Sequence, residues 1–195
     1  MKLNTAPRIM IVAAACAIAL VGVVLLEGAA RGGGQEVLLP MQAVDPRDML
    51  SGHYVQIALN QTLQPTEHCP DEQSGWDWVA LRPIGGGAYA VAGGAHSRDQ
   101  TEQIGPVSVK GSFSCMPPTP PGSDVPEGQS GNIRLEIGVD RFYINQAEAE
   151  RIDQILRDSR GGEARAFAIV SVGSDGQARL KGVQIDGKRL ELSWL

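Results

Sequence analysis

The sequence is poor in the residues from which reactive centres are built. It holds three histidines and three cysteines, with no CxxC pair. His68 and His96 stand at no metal-ligand spacing, which argues against a zinc or redox centre. No GxSxG turn supplies a hydrolase nucleophile. Gly85-Gly86-Gly87 lacks the Lys-Ser/Thr that completes a phosphate loop, and its flanks read as two strands rather than strand and helix. Aromatic residues make up 5% of the chain, so a core has to be built from Val, Ile, Leu and Ala. Acids are missing from the first 26 residues, and all 22 lie at or beyond Glu27. Only Lys2 and Arg8 among the 17 bases precede that point. The remainder is therefore acidic, which removes the electrostatic case for nucleic acid or an anionic lipid surface. No cofactor and no metal is expected.

What the N-terminus does contain is an uncharged apolar run, IMIVAAACAIALVGVVLL, from Ile9 to Leu26. As a helix it spans about 27 Å at 1.5 Å per residue, the short end of what crosses a bilayer. It has no polar face with which to sit in a soluble core. The bases of residues 1–8 place that end in the cytoplasm. Residues 9–26 then form a single transmembrane anchor, 27–35 a spacer whose Arg31–Gln35 part (RGGGQ) is flexible, and 36–195 an extracytoplasmic domain. Cleavage after Ala30, at the small residues Gly28-Ala29-Ala30, is the alternative to a retained anchor. Cys16 reads as a small apolar residue inside the membrane helix.

Beyond the membrane two cysteines remain, Cys69 and Cys115. In an oxidising compartment a pair makes one bridge. Such a bridge across a long loop contributes roughly 3–5 kcal/mol by the chain-entropy model.

The rest of the chain reads as a succession of strands and turns. EVLLPMQAVDP is a short apolar run broken by Pro40. Asp45 caps a helical turn with Pro46 in its first position, and Gly52 ends it. His53 to Gln64 then alternates as a strand. Trp76 to Pro83 and AYAVAGG form a hairpin about the three glycines. Pro106 to Cys115 is one strand with Val107, Val109, Gly111, Phe113 and Cys115 on one face. Residues 117–131 are a Pro/Gly-rich loop. NIRLEIGVDRFYI is a further strand. Asn145 opens a helix with Glu148 in capping-box relation and Ala149, Ile152, Ile155 and Leu156 on one face. Ala166 to Val172, QARLKGVQI and RLELSWL follow as antiparallel strands, joined at Ser174-Asp175-Gly176 and Asp186-Gly187. Leu190, Leu192 and Trp194 share a face of the last. The fold class is α+β: mostly antiparallel β with one α-helix in the C-terminal half, preceded by an N-terminal transmembrane helix.

Three segments resemble the GDYXXLXY family of bacterial membrane-anchored proteins. The stretch DPRDMLSGHYVQIAL (Asp45 to Leu59) is similar to its signature, with Asp45, Pro46, Arg47 and Asp48 matching the lead and Gly52 and Tyr54 the motif. His53 stands where the pattern has Asp, Ile57 stands for its Leu, and Leu59 for the final Tyr. DRFYINQAEAERID (Asp140 to Asp153) and VSVGSDGQARLKGVQIDGK are similar to two later family segments. The resemblance implies a single-pass protein of the bacterial inner membrane, with a periplasmic domain of uncharacterised function. It also implies an accessory role beside a multi-pass membrane protein. It carries no catalytic residues.

Two clusters invite a chemical reading. Asp45, Asp48 and His53 hold acid and base groups, but no cleft or partner acid marks a general-base site. Capping explains Asp45, and a local pair explains Arg47 and Asp48. Trp76 and Trp78 lie two apart and share a strand face, where packing is the usual use and stacking on a sugar the other. The expected role is thus a non-enzymatic accessory, sensor or interaction module. The alternatives are an envelope hydrolase centred on Asp48 and His53, and a carbohydrate or peptidoglycan binder using Trp76 and Trp78.

Overall fold

The computed structural model describes residues 5–43, 54–63, 67–70, 77–118, 131–139, 141–143 and 166–191. Helix α1 (Thr5–Gly33) is followed by strands β1 (Gln35–Pro40), β2 (Gln42–Ala43), β3 (Tyr54–Leu63), β4 (Trp78–Gly85) and β5 (Ala88–Ala95). A short helix α2 (Arg98–Ile104) precedes β6 (Val107–Lys110), β7 (Ser112–Met116), β8 (Gly131–Glu136) and β9 (Arg141–Tyr143). Strands β10 (Ala166–Val172), β11 (Ala178–Ile185) and β12 (Lys188–Glu191) complete the described chain.

Helix α1 is long, apolar and uncovered. Within Pro7–Gly33 its most apolar 18 residues have a mean hydropathy of 3.0, and none of those is buried in the protein. At 1.5 Å per residue its 29 residues extend about 43 Å, more than the hydrocarbon core of a bilayer. The last two turns, carrying Glu27 and Arg31, therefore stand beyond the apolar run. The spacer expected over residues 27–35 is not one. The helix continues through Gly33, and β1 begins at Gln35.

The strands form two sheets. One has seven strands in the order β12-β11-β10-β1-β5-β4-β6, and the other runs β2-β3-β8-β7 with β9 paired to β3. Among the described residues all pairings are antiparallel except the parallel bridge between Leu38 of β1 and Ala88 of β5. EVLLP, which reads as a short broken run, is thus an interior strand, and Pro40 takes the last place in it. Period-two alternation puts Val37, Val79, Val109 and Val170 from the first sheet against Leu59, Ile133, Leu135 and Phe113 from the second. The core between the sheets is aliphatic, as the scarcity of aromatics requires.

Two expected single strands are each divided. Pro106 to Cys115 splits at Gly111 into β6 and β7, which belong to different sheets. Gly111 has φ 150°, and a Cβ there would overlap the Glu136 carbonyl. The alternation nevertheless survives the corner, and Val107, Val109 and Phe113 all face the core. NIRLEIGVDRFYI divides at Ile137-Gly138, where Gly138 has φ 75°, and β9 resumes the same antiparallel course along the other end of β3. Helix α2 has no counterpart among the elements expected from the sequence. It is held by Thr101, whose hydroxyl donates to the Arg98 carbonyl at 2.7 Å and shares a 2.9 Å bond with the Ser108 hydroxyl beneath it. The helix expected from Asn145 lies outside the described residues. So does the helical turn at Asp45–Gly52.

Polar ties join the layers. The Val91 N–H of β5 donates to the Gln61 side-chain oxygen of β3 at 3.1 Å. Cys69 and Cys115 are bridged, closing a separation of 46 residues between the 67–70 segment and β7. Asp186 and Gly187 both take positive φ, 48° and 79°, as a two-residue type I′ hairpin demands. Intact protein is expected to show one bridge by mass under non-reducing conditions. The double variant Cys69→Ala/Cys115→Ala should unfold with about 3–5 kcal/mol less stability. Two free thiols in the oxidised protein would contradict the pairing.

Candidate functional site

The residues singled out in the sequence are distributed unevenly. Asp45, Pro46, Arg47, Asp48, Gly52, His53 and Trp76 lie outside the described residues. Tyr54 opens β3, in register with Tyr143 of β9. Trp78 is half-buried at the start of β4. The Lys110 ammonium sits over its ring, 5.4 Å from the centroid. The ring also lies so close to Gly176 that a Cβ there would overlap it. Trp78 therefore packs the β10–β11 turn onto the sheet. Its contacts explain why Gly176, at φ 77°, is a glycine.

The most developed constellation lies elsewhere, where α1 enters the domain. Arg179 of β11 is largely buried, its side chain 11% exposed, and its Nε lies 2.8 Å from a Glu27 carboxylate oxygen on the last turns of α1. The same guanidinium bonds Asp175 at 3.2 Å. Its hydrogen bonds to Asp175, then to Glu27, raise its already high pKa further. Asp175 is held below its ordinary value by the Arg179 bond first and the Gln177 N–H second. Along the same side of the sheet, Glu36 of β1 bonds Lys181 at 2.9 Å and Arg189 at 2.8 Å. The Lys181 bond is the main reason that the Glu36 carboxyl is also held below its usual range. The pairing β1-β10-β11-β12 brings these charges into line, although they come from distant parts of the sequence.

The glycines between helix and sheet serve this joint. A Cβ on Gly34 would collide with the Ser171 hydroxyl and the Val172 carbonyl. Ser171 is fully buried, and its hydroxyl has no hydrogen-bond partner among the described residues. Gly33, one residue earlier, meets nothing within 4 Å. The run RGGG therefore reflects close approach at Gly34, where composition alone reads as flexibility.

Beside the joint lies a groove of about 470 Å³. Gly33, Gly34 and Gln35 form one wall together with Val172–Ser174, and Arg98, Glu102 and the 105–108 segment form the other. Arg98 spans its end, bonding Glu102 at 2.8 Å and donating to the Ser174 carbonyl. Sequence reading missed both joint and groove. The signals were there only as isolated charges: Glu27 past the apolar run, Glu36 in an apolar strand, and Arg179 and Lys181 alternating along QARLKGVQI. Among the described residues, no group of three or more His, Cys, Asp or Glu is placed to hold a metal.

One apolar helix entering a disulfide-bridged, two-sheet domain with no linker is the architecture of a membrane-associated protein. The family model described as "GDYXXLXY protein" matches residues 16–183, and the chain belongs to that family. No curated protein and no solved structure matches it.

Two outcomes follow from the joint. Gly34→Ala is expected to destabilise the domain by more than 1 kcal/mol, as overpacking does. Gly33→Ala is expected to be neutral or slightly stabilising at its helical position. Equal Tm values for the two would refute the close-approach reading. Glu36 gives a pH signature. Its native pKa is lowered, so the unfolded chain binds more protons there as the medium is acidified. The stabilisation is full above the ordinary glutamate range and is lost as pH falls through the lowered native value. Glu36→Gln should therefore lose less Tm than wild type between neutral and acid pH. Identical acid sensitivity would show that the bridge to Lys181 contributes nothing.

Proposed function

We propose that this protein is a membrane-tethered extracytoplasmic module that works, without catalysis, by contact with another membrane protein. The observation that carries this reading is the direct joint between α1 and the sheet, locked by the Glu27–Arg179 pair. A domain needing only attachment can hang on any flexible linker. A domain fixed to its helix keeps one orientation against the bilayer, which matters when it must meet a partner embedded there. The bridge between Cys69 and Cys115 supports an oxidising compartment, and the bases before the apolar run support a cytoplasmic N-terminus. In a bacterial cell these features together fit the inner membrane, with the domain in the periplasm. The partner that suits the reading is a multi-pass membrane protein.

Purification of the full chain in mild detergent is expected to enrich such a partner reproducibly. A four-residue Gly-Ser insertion between Gly33 and Gly34 should keep membrane insertion and the disulfide but reduce that enrichment several-fold. Recovery of the wild-type chain as a lone monomer would overturn the proposal. Undiminished enrichment after the insertion would show that the joint is not what supports it.

A further inference from the structure

Strand β6 ends the seven-stranded sheet, so one of its edges faces no strand among the described residues. The direction of its main-chain groups follows from its pairing with β4. The Gly111 N–H donates to the Asp77 carbonyl, and the register sets Lys110 opposite Trp78 and Ser108 opposite Ala80. Antiparallel partners alternate between pairs that exchange hydrogen bonds and pairs that do not. Gly111, Val109 and Val107 therefore direct their N–H and C=O groups at β4, while Lys110 and Ser108 direct theirs outward. The Lys110 N–H is taken by the Gly176 carbonyl at 2.8 Å. The outward N–H and C=O of Ser108 have no such partner among the described residues, and Ser108 lines the groove.

A donor and an acceptor without a backbone partner among the described residues, on a residue only 8% exposed, favour an occupant that supplies both complements in place of water. A small apolar ligand supplies neither. An anionic headgroup calls for uncommitted positive charge, whereas the lining guanidinium of Arg98 is already paired with Glu102. An extended polypeptide supplies a carbonyl and an N–H at the strand repeat, as in strand addition to a sheet edge. The groove is also bounded by Gly33 and Gly34, where α1 gives way to the domain.

We infer that this groove receives an extended segment of a membrane-protein partner, paired with the β6 edge at Ser108, where the partner's chain emerges from the bilayer. The inference rests on the proposed partner-binding role and names the surface that performs it. The Lys110–Gly176 contact closes one end, so the added strand is short, about two or three residues at roughly 3.3 Å each.

The test uses the full chain in its native membrane with the photo-reactive residue p-benzoylphenylalanine replacing exposed Gln35. The expected adduct, mapped by mass spectrometry, falls within a few residues of a transmembrane span of a second protein. Gly33→Trp, built from a position with open space, should fill the groove and reduce that adduct at least ten-fold. Ser174→Trp should do the same from a second segment of the chain on the same wall, which guards against a folding defect in either variant. Retention of the Cys69–Cys115 bridge and of membrane insertion marks a folded variant. Adducts on lipid, an adduct distant from any span, an adduct unaffected by either tryptophan, or no adduct at all would overturn the inference. Enrichment of a partner without a groove adduct would overturn the groove alone. Absence of both would remove the partner-binding role as well.

Discussion

The pair between Glu27 and Arg179 is the constraint on which the rest of the arrangement depends. It ties the end of the apolar N-terminal helix to a strand near the other end of the sequence. An ion pair at a protein surface contributes little on its own. Here the arginine is largely buried and held from two sides, so removing either acid leaves a guanidinium with fewer partners in a site it cannot easily leave. The geometry of Gly34 against Ser171 and Val172 fixes the same junction sterically. Charge and close packing thus determine one crossing between helix and sheet.

The ion pairs along β1, β11 and β12 extend that junction into the sheet. Glu36 is the second residue of β1, and its bridges reach Lys181 of β11 across β10 and Arg189 of β12 across β10 and β11. Interior-strand neighbours of this kind have to be in register before the charges meet. The pairs therefore favour one alignment of β10 and β11 over a slipped one, in which every side chain would change face. Specificity of alignment is a larger consequence of these exposed or half-exposed bridges than their small individual energies.

Much of this fold was legible in the sequence because period-two alternation is a local signal. Ala166–Val172 and the turns at Ser174–Gly176 and Asp186-Gly187 stand where the residues indicate, and the Cys69–Cys115 pair is joined. The apolar helix was equally plain, since 18 uncharged residues leave few other readings. What local pattern could not disclose was where one strand passes from sheet to sheet. Gly111 reads as one more member of an alternating face, and only the carbonyl of Glu136 opposite it explains the corner. Similarly, a run of three glycines has the composition of a linker. The close approach at Gly34 is to Ser171 and Val172, far away in the chain. Helix α2 is too short for a periodic signal, and its anchoring hydroxyl pair is a tertiary contact. The signature residues Asp45–His53 marked the family through their order, and the described structure leaves their surroundings aside.

The placement of β1 has a consequence for the timing of folding. Its antiparallel neighbour β10 is among the last strands to be made, while β1 itself comes directly after helix α1. The first strand to leave the ribosome cannot complete its main pairing until nearly all of the chain has followed. Contacts of such long sequence separation are slow to form. A nascent chain in this state is an acidic, incompletely paired polypeptide, and mutual repulsion between identical neighbours is one physical means of keeping those waiting strands apart.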